Sequence, residues 1–124
     1  MSMPHVVVSD LPGLDGEVIA TLRDIMQDDF VDLIETFIKD SLQRREALAQ
    51  AERSGDREAL RRAAHSFKGS SANIGARSLS DLCRQLEDAL VAGGEVDVPA
   101  YLSAIAAACD FVLTELRQLL ASEA

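Results

Sequence analysis

Apolar residues recur at spacings of three and four through most of the chain, and no stretch alternates at a spacing of two. The first spacing places side chains on one face of an α-helix, whereas a half-buried strand requires the second. Gly55, Gly75 and the pair Gly93 and Gly94 interrupt the pattern, and glycine is common just past a helix end. The chain is therefore predicted to be all-α, with helices joined by short turns.

Five helices are predicted from these repeats and from residues typical of helix ends. The first runs from Asp15 to about Gln27, the second from Asp28 and Asp29 to Gly55, and the third from Asp56 to about Asn73 or Ile74. The fourth begins at a capping box of Ser78 with Asp81 and ends at Gly93. The fifth begins at Pro99, which is preceded by Asp97, and continues nearly to the end of the sequence.

Each predicted helix has one apolar face, which we expect to be buried. The faces consist of Val18, Ile19, Leu22, Ile25 and Met26; Phe30, Ile34, Phe37, Ile38, Ser41, Leu42 and Leu48; Leu60, Ala63, Ala64, Phe67, Ser71 and Ile74; Leu79, Leu82, Cys83, Leu86, Ala89 and Leu90; and Leu102, Ile105, Ala106, Cys109, Val112, Leu113, Leu116 and Leu120.

The length of 124 residues suits one domain, and 48% hydrophobic residues are enough for a packed core. Four amphipathic helices with short connections predict an antiparallel four-helix bundle over residues 14–121, with the short additional N-terminal helix across one end. Residues 1–13 contain Pro4, Pro12 and Gly13 without helical periodicity, so we expect an N-terminal tail.

The net charge of −9 disfavours binding to nucleic acid, which requires a basic surface. The charge is unevenly distributed: the segment 44–84 has nine basic and five acidic residues, so the remainder of the chain carries about thirteen negative charges. A locally positive segment suits an anionic ligand or an acidic partner. A helical surface laced with salt bridges is the alternative.

The two cysteines, Cys83 and Cys109, lie in helical patterns without a CxxC motif, so reduced thiols are expected. No signal peptide is recognised, and no apolar run approaches the length of about 20 residues of a membrane span. These features predict a cytoplasmic protein that does not bind a membrane.

His65 lies outside the apolar face of the third helix. On a helical wheel it is about 140° from Leu60, close to Lys68, Gly69 and Ala72. Glycine within a helix costs about 1 kcal/mol relative to alanine, so Gly69 suggests that a partner approaches the imidazole closely. The ammonium group of Lys68 is suited to stabilising a phosphoryl group or another anion.

An accessible histidine is partly neutral and nucleophilic at pH 7, because its ordinary pKa is about 6.5. The sequence has no HExxH motif, no phosphate-binding glycine loop and no histidine pair at metal-ligand spacing, so neither ATP, metal nor another cofactor is predicted. A nucleophilic histidine beside a lysine favours transient covalent carriage of a phosphoryl group.

The stretch from His65 to Ala76, HSFKGSSANIGA, resembles the HxxKGSSxxxGA signature of histidine-containing phosphotransfer (HPt) domains. The resemblance implies that His65 is phosphorylated through Nε2 and that Lys68 stabilises the phosphoryl charge. It implies that Gly69 leaves room for a docking receiver domain, and we expect Ala72, Arg61 and Ser70 to contribute to that surface.

In some family members a glutamine of the next helix contacts the histidine. The corresponding position here is Glu87, with Gln85 nearby, and the sequence leaves open which of them does so. The resemblance implies a stand-alone phosphocarrier that is not a kinase. Its partners would be receiver domains of response regulators and of a hybrid sensor kinase, and we expect a monomer.

Two alternatives to phosphotransfer come from other functional classes. The first is a non-catalytic helical adaptor that binds a signalling partner through the positive face of the third helix. The second is a metal- or cofactor-binding bundle, but that would require inward-facing Glu and His residues, which the apolar faces lack.

Overall fold

The computed structural model describes residues 13–123, which form five α-helices. They are α1 (Gly16–Met26), α2 (Phe30–Ser54), α3 (Arg57–Asn73), α4 (Arg77–Ala92) and α5 (Val98–Glu123), with a 3-10 turn, Gln27–Asp29, between α1 and α2. Within the described residues there is no strand, only an isolated bridge between Leu14 and Ala76. The predicted tail lies outside the described residues except for Gly13.

The four long helices pack in sequence order around one core, because α2 lies against α3, α3 against α4, α4 against α5, and α5 returns to α2. The predicted four-helix bundle is therefore confirmed. The largest fully buried side chains come from all four helices and are Phe30, Ile34, Leu48, Phe67, Leu79, Leu82, Leu86, Tyr101, Ile105, Val112, Leu113 and Leu116.

The predicted boundaries of α1, α2 and α3 are confirmed to within a few residues, and the capping groups explain them. The carboxylates of Asp15 and Asp56 accept hydrogen bonds from the amides of Glu17 and Ala59, which satisfies free N–H groups in the first turns of α1 and α3. Gly55 follows α2 with a φ of 68°, the left-handed conformation that glycine adopts without steric cost.

The short helix α1 is fastened to the turn between α3 and α4. The amide of Asp15 donates to the carbonyl of Gly75 at 2.8 Å, and its carboxylate pairs with Arg77. Gly75 has a φ of 80°, and a Cβ built on it would lie 2.9 Å from Cβ of Val18. This close contact requires glycine and holds α1 across one end of the bundle, as predicted.

The capping box predicted at Ser78 and Asp81 is wrong. Helix α4 already begins at Arg77, because the amide of Ala76 donates to the carbonyl of Ser71 and a tight turn brings the chain directly into the new helix. Ser78 is consequently buried inside the first turn, and the carboxylate of Asp81 accepts hydrogen bonds from Arg84 and Gln85.

Two residues assigned to buried faces are exposed instead: Ile25 is 71% exposed and Leu42 is 50% exposed. Ile25 is rotated by about 120° from Ile19, the buried residue of α1. Leu42 is similarly rotated away from the buried row of α2, which contains Ile34 and Ser41.

The expectation that no segment reaches membrane-spanning length requires correction for α5. By length and composition alone, its segment Val98–Ser122 is long and apolar enough to cross a membrane, with a mean hydropathy of 1.3. In the structure this helix forms one wall of the bundle, and its buried side, which includes Tyr101, Ile105, Cys109 and Leu116, packs in the shared core. A core helix can meet the same criteria of length and composition.

Candidate functional site

His65 projects from α3 on the side opposite its packed face. Leu60, Ala64 and Phe67 of the same helix are at most 3% exposed, whereas the His65 side chain is 63% exposed. The predicted outward orientation of His65 is therefore confirmed.

Glu87 of α4 forms a hydrogen bond with this imidazole. Its Oε2 lies 2.6 Å from Nδ1 of His65, and its Oε1 lies 2.7 Å from Nζ of Lys68. The carboxylate is only 11% exposed, so it occupies the seam between α3 and α4. One carboxylate thus joins the imidazole and the ammonium group that the sequence predicted to act together.

The charges around Glu87 determine its protonation state. The hydrogen bond from Lys68 lowers the pKa of the Glu87 carboxyl group, desolvation opposes this effect, and the hydrogen bond to His65 lowers the pKa further. Arg61 adds a second cationic group, with a guanidinium nitrogen 3.7 Å from Oε2. Glu87 is consequently ionised at neutral pH.

An ionised carboxylate can only accept hydrogen bonds, so Nδ1 of His65 must carry the proton that lies between the two groups. In a neutral imidazole the other nitrogen, Nε2, then has a free lone pair. Nε2 makes no hydrogen bond to any described residue, and the exposed ring presents it to solvent. The site therefore fixes the tautomer in which the exposed nitrogen is the nucleophile.

The question of which α4 residue contacts the imidazole is resolved by geometry. Glu87 makes the contact, while the amide of Gln85 donates to Asp81 at 2.8 Å. The family resemblance indicated this position, where some members have a glutamine and this chain has Glu87. A carboxylate accepts the same hydrogen bond and adds a negative charge.

Gly69 and Ala72 extend the exposed side of α3 beyond His65. A Cβ built on Gly69 would meet no atom within 4 Å, so the bundle itself does not require glycine at this position. Ala72 is also exposed. Gly69 has no side chain and the side chain of Ala72 is only a methyl group. The surface that these two residues form next to the imidazole is therefore low, because no long side chain rises from it.

Arg61 and Ser70 lie on different sides of the predicted docking surface. Arg61 is near Glu87, and its guanidinium group makes two hydrogen bonds to Glu58. Ser70 faces α2 and lines a groove of about 410 Å³ together with Leu22, Phe37, Ser66 and Asn73. The structure therefore groups Arg61 with His65, Lys68 and Glu87 and places Ser70 apart from them.

Many of the basic side chains of segment 44–84 form ion pairs. Arg45 pairs with Asp110, Arg53 with Glu46 and Arg84 with Asp81 and Asp88. The salt-bridged surface considered as an alternative is thus present, and the distinctive charge at the site is the cluster around Glu87. Residues 13–123 contain no group of three or more His, Cys, Asp or Glu side chains arranged to hold a metal ion.

The family model for the Hpt domain matches residues 32–122, which include His65, all of α3 and α4, and nearly all of α2 and α5. The chain belongs to the Hpt domain family. The crystal structure of histidine-containing phosphotransfer protein B (HptB) from Pseudomonas aeruginosa PAO1 superposes on this Hpt domain with a TM-score of 0.87. The two are 35% identical over 91% of this chain and 98% of that chain.

A second solved structure has the same fold at lower sequence similarity. It is the HPT domain of a sensor hybrid histidine kinase from Shewanella, with a TM-score of 0.73 and 16% identity over 88% of this chain and 94% of that chain. No curated protein sequence matches the chain.

Hpt domains are phosphocarriers and not kinases, and they interact with receiver domains of hybrid kinases and response regulators. The function of this Hpt domain is histidine phosphotransfer in a phosphorelay. The geometry above supplies one exposed, oriented histidine for such a reaction.

Proposed function

We propose that His65 carries the phosphoryl group of this phosphorelay on Nε2. The observation that supports this assignment is the hydrogen bond between Nδ1 and Glu87, because it leaves the exposed Nε2 as the nucleophilic nitrogen. The chain has one other histidine, His5, which lies outside the described residues.

In the loading step, the lone pair of Nε2 attacks the phosphorus of an aspartyl phosphate on a receiver domain. The bond between phosphorus and the aspartyl oxygen breaks, and its electron pair remains on the carboxylate. The reverse reaction delivers the phosphoryl group to an aspartate of another receiver. Mg²⁺ belongs to the receiver in this scheme, and Lys68 stabilises the phosphoryl charge from its position beside the imidazole.

The receiver domain docks over the low surface formed by Gly69 and Ala72, with Arg61 and Ser70 at its two sides. A side chain longer than a methyl group at position 69 would stand between the imidazole and the incoming aspartate. The partners are receivers of response regulators and of a hybrid sensor kinase, and the domain acts as a cytoplasmic monomer that has no kinase activity.

The test is incubation with a receiver domain that has been labelled with a radioactive phosphoryl group, followed by electrophoresis. Wild type and the control His5→Gln are expected to gain a label that is stable in alkali and labile in acid, as a phosphohistidine is. His65→Gln is expected to gain none. Equal labelling of His65→Gln and wild type would refute the assignment of His65 and would favour an adaptor that binds without accepting phosphate.

A further inference from the structure

The carboxylate of Glu87 has a consequence for the phosphorylated state that a neutral amide would not have. Its Oε2 accepts the Nδ1 proton of His65 at 2.6 Å, and the group is 11% exposed. Hydrogen bonds to a charged partner are roughly twice as strong as those between neutral groups. Ionised Glu87 therefore favours a ring that is protonated at Nδ1 and cationic over one that is not.

The state of Nδ1 decides how readily the phosphoryl group leaves. During transfer the bond between Nε2 and phosphorus breaks, and its electron pair returns to Nε2. If Nδ1 carries a proton, the ring departs as neutral imidazole. If Nδ1 is unprotonated, the ring departs as an imidazolate anion, which is a much poorer leaving group. The phosphoryl group moves to a receiver carboxylate oxygen, or to water in hydrolysis.

We infer that Glu87 is a positioning residue that keeps Nδ1 of phosphorylated His65 protonated through neutral pH, so that the imidazole remains a good leaving group. The inference rests on the proposed phosphorylation of His65. It predicts that phosphoryl transfer from the wild-type protein changes little between pH 6 and about 8, whereas transfer from a protein without this carboxylate slows as the pH rises.

The charged groups around Glu87 are consistent with this role. From α3 it faces Arg61, His65 and Lys68, and no charged group of α5 within the described chain lies at ion-pair distance. The hydrogen bond from Lys68 lowers the pKa of Glu87, so the carboxylate remains ionised throughout the relevant pH range. On α4 the neighbouring Asp88 pairs with Arg84 and belongs to the exposed surface.

The experiment uses the full chain phosphorylated with phosphoramidate, a small chemical donor that requires no docking partner. The ³¹P resonance of phosphohistidine is followed from pH 5 to 9 for wild type, Glu87→Gln and the control Asp88→Asn. Wild type and Asp88→Asn are expected to share one titration midpoint. In Glu87→Gln the midpoint is expected about one pH unit lower, which corresponds to about a tenfold smaller protonated fraction at high pH.

The rates at which the phosphoryl group leaves His65 are the second measurement. At pH 8, hydrolysis of the phosphohistidine and its single-turnover transfer to a receiver are expected to be several-fold slower in Glu87→Gln, and Glu87→Asp is expected to recover part of the loss. Equal midpoints and equal rate profiles for wild type and Glu87→Gln would overturn the inference while leaving His65 as the phosphorylated residue. Absence of label on wild-type His65 would instead overturn the proposed function.

Discussion

The ammonium group of Lys68 lies 2.7 Å from Oε1 of Glu87, and this pair links α3 to α4 immediately beside the exposed imidazole. Lys68 is 31% exposed and Glu87 is 11% exposed, so this pair is better shielded from solvent than the nearby pairs of Arg61 with Glu58 and of Arg84 with Asp88. An ion pair in this position contributes both to stability and to the arrangement of the site.

We expect Glu87→Gln to lower the free energy of unfolding by about 1 to 2 kcal/mol at pH 7, because it removes charge-assisted hydrogen bonds. The pKa of Glu87 is lower in the folded protein than its ordinary value of 4.5. Its stabilising effect is therefore present above that value and is lost as the pH falls through the folded-state pKa. The difference between wild type and Glu87→Gln should shrink from pH 7 to pH 3.

Urea unfolding followed by circular dichroism at both pH values measures this difference. Asp88→Asn is the matched control, because it removes one charge from an exposed pair and should cost less than about 0.5 kcal/mol. A difference between wild type and Glu87→Gln that is unchanged or larger at pH 3 would contradict the argument.

Gly75 should be far less tolerant of substitution than Gly55, although both adopt positive φ angles of 80° and 68°. Alanine at either position incurs backbone strain of about 1 to 2 kcal/mol. At position 75 the new Cβ would also lie 2.9 Å from Val18, whereas at position 55 it would meet nothing within 4 Å. Gly75→Ala is therefore expected to lose at least about 1 kcal/mol more than Gly55→Ala.

Urea unfolding of the two variants measures the additional loss. Native-state hydrogen exchange is expected to locate it in α1, which the Gly75 contact holds against the bundle. Equal losses for Gly55→Ala and Gly75→Ala would show that the contact with Val18 carries no cost.

The sequence predicted the features that depend on one helix at a time. The apolar row of α3 determined which side is buried, and the same periodicity placed His65 outward. Gly55 and Gly75 marked helix ends because their conformation is local. The error at Ser78 arose because a tight turn, fixed by the bond from Ala76 to Ser71, begins α4 earlier than the capping signal suggested.

The contacts of Glu87 could not be derived from periodicity. They depend on how α3 and α4 are rotated relative to each other, and the repeat within a single helix contains no such information. The family resemblance identified the position of Glu87, but it left open whether Glu87 or Gln85 contacts the histidine. The shared hydrogen bonds to His65 and Lys68 became evident only when both helices were placed together. Ile25 was misassigned for a similar reason, because α1 is short and packs through few of its residues.

Both thiols should be inert in the folded protein. Burial raises the pKa of Cys83 to about 12 and also raises the pKa of Cys109. Because the thiolate is the reactive species, Cys83 at pH 8 should react about a thousandfold more slowly than an unfolded thiol. Ellman's reagent is expected to detect neither thiol in native protein and both in urea. Rapid modification of one thiol without denaturant would contradict the burial of that cysteine.

Gly69 is expected to be unfavourable for stability and necessary for transfer. It lies in the exposed middle of α3, where alanine is more favourable than glycine by about 1 kcal/mol. A Cβ at this position meets nothing within 4 Å, so Gly69→Ala should raise the free energy of unfolding by about that amount. Gly69→Leu should also fold with unchanged helicity, but its larger side chain should block the approach of a receiver aspartate to His65.

The measurements are thermal unfolding, far-ultraviolet circular dichroism and the rate of phosphoryl exchange with a receiver domain. Ala107→Leu is the matched control, because it adds a comparable apolar side chain to an exposed position of α5, away from the site. We expect Gly69→Leu to slow transfer at least about tenfold, equivalent to about 1.4 kcal/mol, while Ala107→Leu transfers at the wild-type rate. If Gly69→Leu folds normally and transfers without hindrance, the docking partner does not approach His65 across this surface.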